Sequence, residues 1–152
     1  MKVLIISHNC ISNYNNMGKA MLSIMSSFKK AEVCQLYIYP SLPDIDICNS
    51  YYRITDKELL NLAFFNNKKG KVISKEDIKT NNMLLENNGY KKYYQKKKNI
   101  FKKYARDMIW MFPFWFNDDL KQWLKKEKPT HIVAFPGDYC FFYNIVLNIG
   151  NI

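Results

Sequence analysis

Apolar and polar positions alternate along this chain in two rhythms. Lys2-Val-Leu-Ile-Ile-Ser7 is a short unbroken apolar run, the pattern of a strand buried on both faces, as in a parallel sheet. A polar loop, His8 to Met17, follows. Gly18 then introduces a segment with Met21, Leu22, Ile24, Met25 and Phe28 at helical spacing. Residues 31 to 39 hold a second strand, with Val33, Leu36 and Ile38 apolar, and Pro40 and Pro43 mark its exit. Strand, helix and strand make a β-α-β unit, whose crossover is right-handed in nearly all proteins.

The pattern continues through shorter pieces. Tyr51 to Ile54 predicts a third strand. Thr55-Asp-Lys-Glu58 has the spacing of a capping box ahead of Leu59, Leu60, Leu62 and Phe64. Val72-Ile73 predicts another short strand, and Ser74-Lys-Glu-Asp77 caps a helix carrying Ile78 and Leu84. From Tyr90 to Phe112 apolar residues recur at Tyr93, Tyr94, Ile100, Phe101, Tyr104, Ala105, Met108 and Ile109, which predicts a long amphipathic helix ended by Pro113. Asn117 or Asp118 is the expected N-cap of a helix through Leu120, Trp123 and Leu124, closed by Pro129. Residues 130 to 135 read as a buried strand, Pro136-Gly137 as the turn at its carboxyl end, and Asp138 to Ile149 as a helix with an apolar face. Strands alternating with helices predict an α/β fold over residues 1–152: one Rossmann-like domain, a parallel sheet with helices on both faces.

Composition supports one folded domain, because 48% hydrophobic and 16% aromatic residues supply ample apolar surface. The net charge of +10 is concentrated in residues 68 to 128, which carry seventeen Lys or Arg against seven acids. Such a segment attracts anionic partners, or is a solvated face. Because 21 of the 23 basic residues are Lys, a hydrated point charge without the planar fork that reads phosphates and bases, nucleic acid is disfavoured as the partner. Cys10, Cys34, Cys48 and Cys140 have no C-x-x-C spacing and no histidine cluster beside them, so they read as reduced structural thiols. No apolar run is long enough for a spanning helix or a signal peptide core. The expected location is cytoplasmic, with room for a peripheral placement at the inner face of the cell membrane.

The stretch from Arg106 to Ile149 resembles a block found in bacterial glycosyltransferases of the family 4 type. The residues that carry it are Arg106-Asp107-x-Ile109-Trp110, Trp115, Leu120-x-x-Trp123-Leu124, Lys128-Pro129-Thr130-His131-Ile132-Val133 and Gly137-Asp138-Tyr139 before an apolar helix. The amino-terminal strand and the loop with Gly18-Lys19 resemble the same proteins. The resemblance implies the GT-B fold, with the acceptor on an amino-terminal Rossmann-like domain and a nucleotide-sugar donor on a carboxyl-terminal one bearing paired glutamates. It implies a role in cell-surface polysaccharide synthesis and no metal, since protein groups and helix dipoles activate the leaving phosphate. The second domain has no counterpart in these residues. The expectation is an acceptor-side half, inactive alone, with no cofactor of its own and the missing half supplied elsewhere, on a partner chain for instance. The open sheet edge makes self-association an expectation as well.

In an open parallel sheet, ligands bind outside the carboxyl ends of the strands. Two loops qualify. The first offers His8, Asn9, Asn16, Gly18 and Lys19: the glycine permits close backbone approach and the helix start favours an anion, or else Gly18 permits a tight turn and the asparagines form turns. The second offers Gly137, Asp138 and Tyr139. Asp138 there accepts hydrogen bonds from acceptor hydroxyls or acts as a base, or it caps the last helix. Tyr139 stacks on a sugar or a lipid-linked group. His131 reads as a satisfied internal histidine. No catalytic residue stands out. A different class of function is a non-catalytic module that lays the basic helix 90–112, with Lys91, Lys92, Lys96, Lys97, Lys98, Lys102 and Lys103, against an anionic membrane or nucleic acid. The competing reading of that helix puts its aromatic stripe in the core, and the Trp110 to Phe116 cluster is likewise either core or exposed patch.

Overall fold

The structure, a computed structural model, describes residues 1–65, 70–80 and 100–151. In chain order these form β1 (Val3–Ser7), α1 (Asn16–Met25), β2 (Val33–Tyr37), β3 (Ser50–Arg53), α2 (Asp56–Phe65), β4 (Lys71–Ile73), α3 (Ile100–Met111), α4 (Asp118–Glu127), β5 (His131–Phe135) and α5 (Phe141–Gly150). Residues 75–80 are also helical. The sheet runs in the order β4-β3-β2-β1-β5. Its four longer strands are parallel, and β4 lies antiparallel to β3.

All five residues of β1 and of β2 are buried, as continuous apolar runs require in a sheet covered on both sides. Alternate side chains feed two cores. Leu4, Ile6, Cys34 and Leu36 pack with Trp110, Trp115, Trp123, Leu124, Phe141 and Phe142 from α3, α4, α5 and the turn before α4. Val3, Ile5, Val33 and Tyr37 pack on the other face with Met21 and Met25 of α1 and Ile78. The chain is therefore an α/β layer structure with helices on both faces.

The helix starts follow local chemistry. Glu58 N donates to Thr55 Oγ1 at 3.2 Å while Thr55 N donates back to Glu58 Oε2 at 2.7 Å, and Ser74 and Asp77 repeat this reciprocal box. Asn117 caps α4 through Leu120 N, and α3 ends at Met111, two residues ahead of Pro113.

Several expectations are corrected. Strand β5 is not a buried strand: its residues are exposed or half-buried, because β1 is its one neighbour in the sheet among the described residues. His131 is accordingly exposed rather than internal, with Nδ1 2.9 Å from Thr130 Oγ1. The last helix begins at Phe141, not Asp138, and its N-cap is Cys140 without a side-chain bond. Asp138 therefore does not cap it. α1 begins before Gly18, at Asn16, capped by Asn15. In the expected helix 90–112 the described part, α3, divides its apolar residues. Trp110 and Ile109 face the core, whereas Tyr104, Met108 and Met111 are exposed. The following cluster divides too, with Trp115 buried and Phe112 and Phe114 exposed.

Candidate functional site: the crevice between the ends of β1 and β5

The parallel strands change their direction of progression at β1, which has β2 on one side and β5 on the other. The chain leaving β1 goes to α1 on one face of the sheet. The chain leaving β5 goes to α5 on the opposite face. Two loops that part company in this way open a crevice at the carboxyl ends of the strands, where doubly wound sheets hold ligands.

The loop after β1 is shaped by a buried amide. Gln35 is fully buried in β2; its Nε2 donates to Ser7 Oγ at 2.8 Å and to Asn9 O at 3.1 Å, and its Oε1 accepts from Ile11 N at 3.1 Å. These bonds draw the loop back onto the sheet and bury Cys10 and Ile11. Ile38 N and Tyr39 N both donate to His8 O, at 3.2 and 2.8 Å, so the His8 backbone is bridged to the end of β2. Gly18 serves the same packing. A Cβ at Gly18 would lie 2.7 Å from Ser12 N and O, so the backbone that approaches this glycine is the loop's own and not a ligand's.

The His8 ring stands between aromatics, with centroid distances of 5.1 Å to Tyr139 (stacked) and 5.4 Å to Tyr39. Its Nδ1 lies 3.1 Å from Asn9 Oδ1, and Asn9 Nδ2 donates to Met17 Sδ at 3.8 Å. The Arg106 guanidinium sits 4.5 Å over the Tyr139 ring. Asp56, in the first turn of α2, accepts at the same Oδ1 from Arg106 Nε at 2.9 Å and from Trp110 Nε1 at 2.8 Å. Burial, reinforced by the Arg106 charge and opposed by the Asn9 bond, lowers the His8 pKa to about 4. The imidazole is neutral at physiological pH.

The loop after β5 turns at Gly137, whose φ of +58° lies in the left-handed region that favours glycine. A Cβ there would be 3.9 Å from Met17 Cε and 4.0 Å from Tyr139 Cδ2, which places this turn beside the start of α1. Asp138 is exposed and makes no hydrogen bond among the described residues, so its carboxylate is open to solvent. Tyr139 is half-buried and engaged by His8 and Arg106.

Of the residues singled out from sequence, His8, Asn9, Gly137, Asp138 and Tyr139 come together at this crevice. Asn16 and Lys19 are exposed on α1, and nothing among the described residues ties their side chains to the cluster. Lys91, Lys92, Lys96, Lys97 and Lys98 lie outside the described residues. Lys102 and Lys103 fall on α3, with their side chains outside them too. Sequence reasoning gave no site role to Arg106, Asp56 or Gln35. One signal was present, since Arg106 is one of two arginines among 23 basic residues.

A separate groove of about 490 Å³ lies beside β3, β4 and α4, lined by Ser50, Tyr52, Val72, Trp123 and Glu127 among others. Three of its polar groups are paired within the protein: Trp123 Nε1 donates to Ser50 Oγ at 3.0 Å, and Glu127 accepts from Lys2 and Asn49. Among the described residues no helix is long and apolar enough to cross a membrane. No family model matches the chain, and no curated protein or solved structure matches it significantly.

Proposed function

We propose that the chain is the Rossmann-like, acceptor-binding half of a GT-B glycosyltransferase, whose complete form transfers a sugar from a nucleotide donor to a glycan or lipid-linked acceptor in cell-surface polysaccharide synthesis. One observation carries this reading: His8, Asn9 and the Gly137-Asp138 turn converge on the crevice between β1 and β5, the place where a sheet of this topology holds a ligand. The resemblance from Arg106 to Ile149 supports it, because Arg106 and Tyr139 of that block belong to the wall of the same crevice. The donor site belongs to a second domain outside these 152 residues.

The test is retention on an array of bacterial glycans, including mimics of lipid-linked oligosaccharides, paired with thermal shifts against nucleotide sugars. Selective retention by one glycan class, lost in Asp138→Ala, is the expected result, with no stabilisation by any nucleotide sugar. Retention by none, or clear stabilisation by a nucleotide sugar, contradicts the assignment. A saturating ligand at a hundred times its Kd adds about 2.7 kcal/mol to stability, an effect too large to overlook.

A second reading is favoured by α3. Tyr104, Met108 and Met111 stand one turn apart and exposed, and Phe112 and Phe114 extend the apolar surface. In the sequence, residues 91–103, which run into the start of α3, carry seven Lys and no acid. An exposed apolar stripe that follows a Lys-rich stretch in sequence suits an anionic bilayer surface, where a lipid-linked acceptor resides. Co-sedimentation with phosphatidylglycerol vesicles, weakened by salt and absent with phosphatidylcholine, is expected; equal binding to both lipids, or to neither, contradicts it.

A further inference from the structure

We propose that His8 Nε2 accepts a hydrogen bond from a ligand hydroxyl in the β1–β5 crevice, so that the group bound there is an uncharged polyol such as a sugar rather than a free anion. The proposal rests on the acceptor-binding reading and specifies the chemistry of its ligand.

The geometry sets the tautomer. Asn9 points its amide nitrogen at Met17 Sδ and its oxygen at His8 Nδ1. An amide oxygen only accepts, so Nδ1 must carry the proton. A neutral ring protonated at Nδ1 has a lone pair at Nε2, and no residue among those described hydrogen-bonds to Nε2. Tyr39 and Tyr139 hold the ring in place on contact, so little rotational freedom is left to lose on binding. Partial burial and the nearby Arg106 guanidinium oppose a second proton, while Asn9 and Asp56 favour it more weakly. The ring therefore stays an acceptor at neutral pH.

The surroundings choose the partner. Arg106 is paired with Asp56 and packed on Tyr139, so its charge is committed within the protein. Asp138, in the turn that follows β5, carries an exposed carboxylate, also an acceptor. Two acceptors on the loops that flank the crevice, with the Arg106 charge already paired, disfavour an anion and match a ligand that donates through several hydroxyls.

The test uses the full 152-residue chain labelled with ¹⁵N and long-range correlation spectra of its imidazoles. His131, exposed on β5, is the internal reference, and His8→Gln assigns the signals. His8 is expected as the neutral Nδ1–H tautomer from about pH 5 to pH 8, across the range where an ordinary histidine titrates. Asn9→Ala is expected to release it into a mixture of tautomers. A panel of methyl glycosides is then titrated, with inorganic phosphate as the charged control. One or more glycosides should move Nε2 upfield, as hydrogen bonding to the lone pair does, and phosphate should leave it in place. An Nε2–H tautomer, an imidazolium at neutral pH, or a response to phosphate and not to glycosides overturns the proposal. Glycosides that move the Gly137 and Asp138 amides but not His8 Nε2 overturn the hydroxyl contact and leave the acceptor reading standing. Glycosides that move none of these signals overturn both.

Discussion

Of the two loops that flank the crevice, the one after β1 is fastened from beneath, and the one after β5 is not. Gln35 reaches up from β2 to hold Ser7, Asn9 and Ile11 by one hydrogen bond each, and Cys10 and Ile11 are buried. Among the described residues, the turn at Gly137 and Asp138 has no such buried side-chain anchor. It stands on one left-handed residue, on a 3.4 Å bond from Tyr139 N to Pro136 O and on the stack of Tyr139 with His8 and Arg106. The first loop fixes the orientation of an imidazole before any ligand arrives. The second keeps a carboxylate exposed and uncommitted. On the proposed function, the fastened side sets the direction of the ligand's hydrogen bonds and the exposed carboxylate meets it from the other loop.

Removing the anchor should produce the largest effect. Gln35→Leu keeps the volume roughly but strands Ile11 N–H in a buried setting. It is expected to cost about 2–4 kcal/mol in urea denaturation and to loosen His8 with the loop; a change under half that range would mean the amide is not what holds it.

Acid should reach the fastened side next. His8 titrates at about 4 when folded against 6.5 ordinarily, so between those values the unfolded chain binds a proton that the folded one refuses. The contribution is fully present above about pH 6.5 and lost as pH falls towards 4, by about 3 kcal/mol at the limit. Carboxylates titrate in the same region, so the measurement is the difference between wild type and His8→Gln, which should lack this component.

The glycines separate the loops more finely. Gly18→Ala drives a methyl against Ser12 backbone at 2.7 Å and should cost about 1–3 kcal/mol by overpacking. Gly137→Ala meets nothing closer than 3.9 Å and should cost only the left-handed backbone term of about 1 kcal/mol. Thermal melts in which the second change is the more damaging would reverse the contrast. The smallest expected effect on stability belongs to Asp138→Ala, within about 0.5 kcal/mol, because the carboxylate caps no helix; its consequence should appear in glycan retention alone.

Much of the layer structure was legible in the sequence, because burial on both faces of β1 and β2 demands unbroken apolar runs, and the boxes at Thr55–Glu58 and Ser74–Asp77 are local by nature. Features set by distant parts of the chain were not. The exposure of His131 depends on β5 lying at a sheet edge. The pairing of Asp56 with Arg106 spans fifty residues, and no periodicity reports it. Gln35 interrupts an apolar run in sequence and becomes the fastening of the site only when β1 lies beside β2. The Gly137-Asp138-Tyr139 turn was placed correctly at the end of its strand, but the capping role offered for Asp138 was not, because the helix starts three residues later at Phe141, and the stack of Tyr139 on His8 joins loops that are distant in sequence.

The most direct test of the site is a map of backbone amide shifts on adding the methyl glycosides that the chain binds. A ligand in the crevice should move His8, Asn9, Gly137, Asp138 and Tyr139 together and leave Ser50, Trp123 and Glu127 at the distant groove unchanged. Shifts centred on that groove, with the crevice silent, would contradict the account.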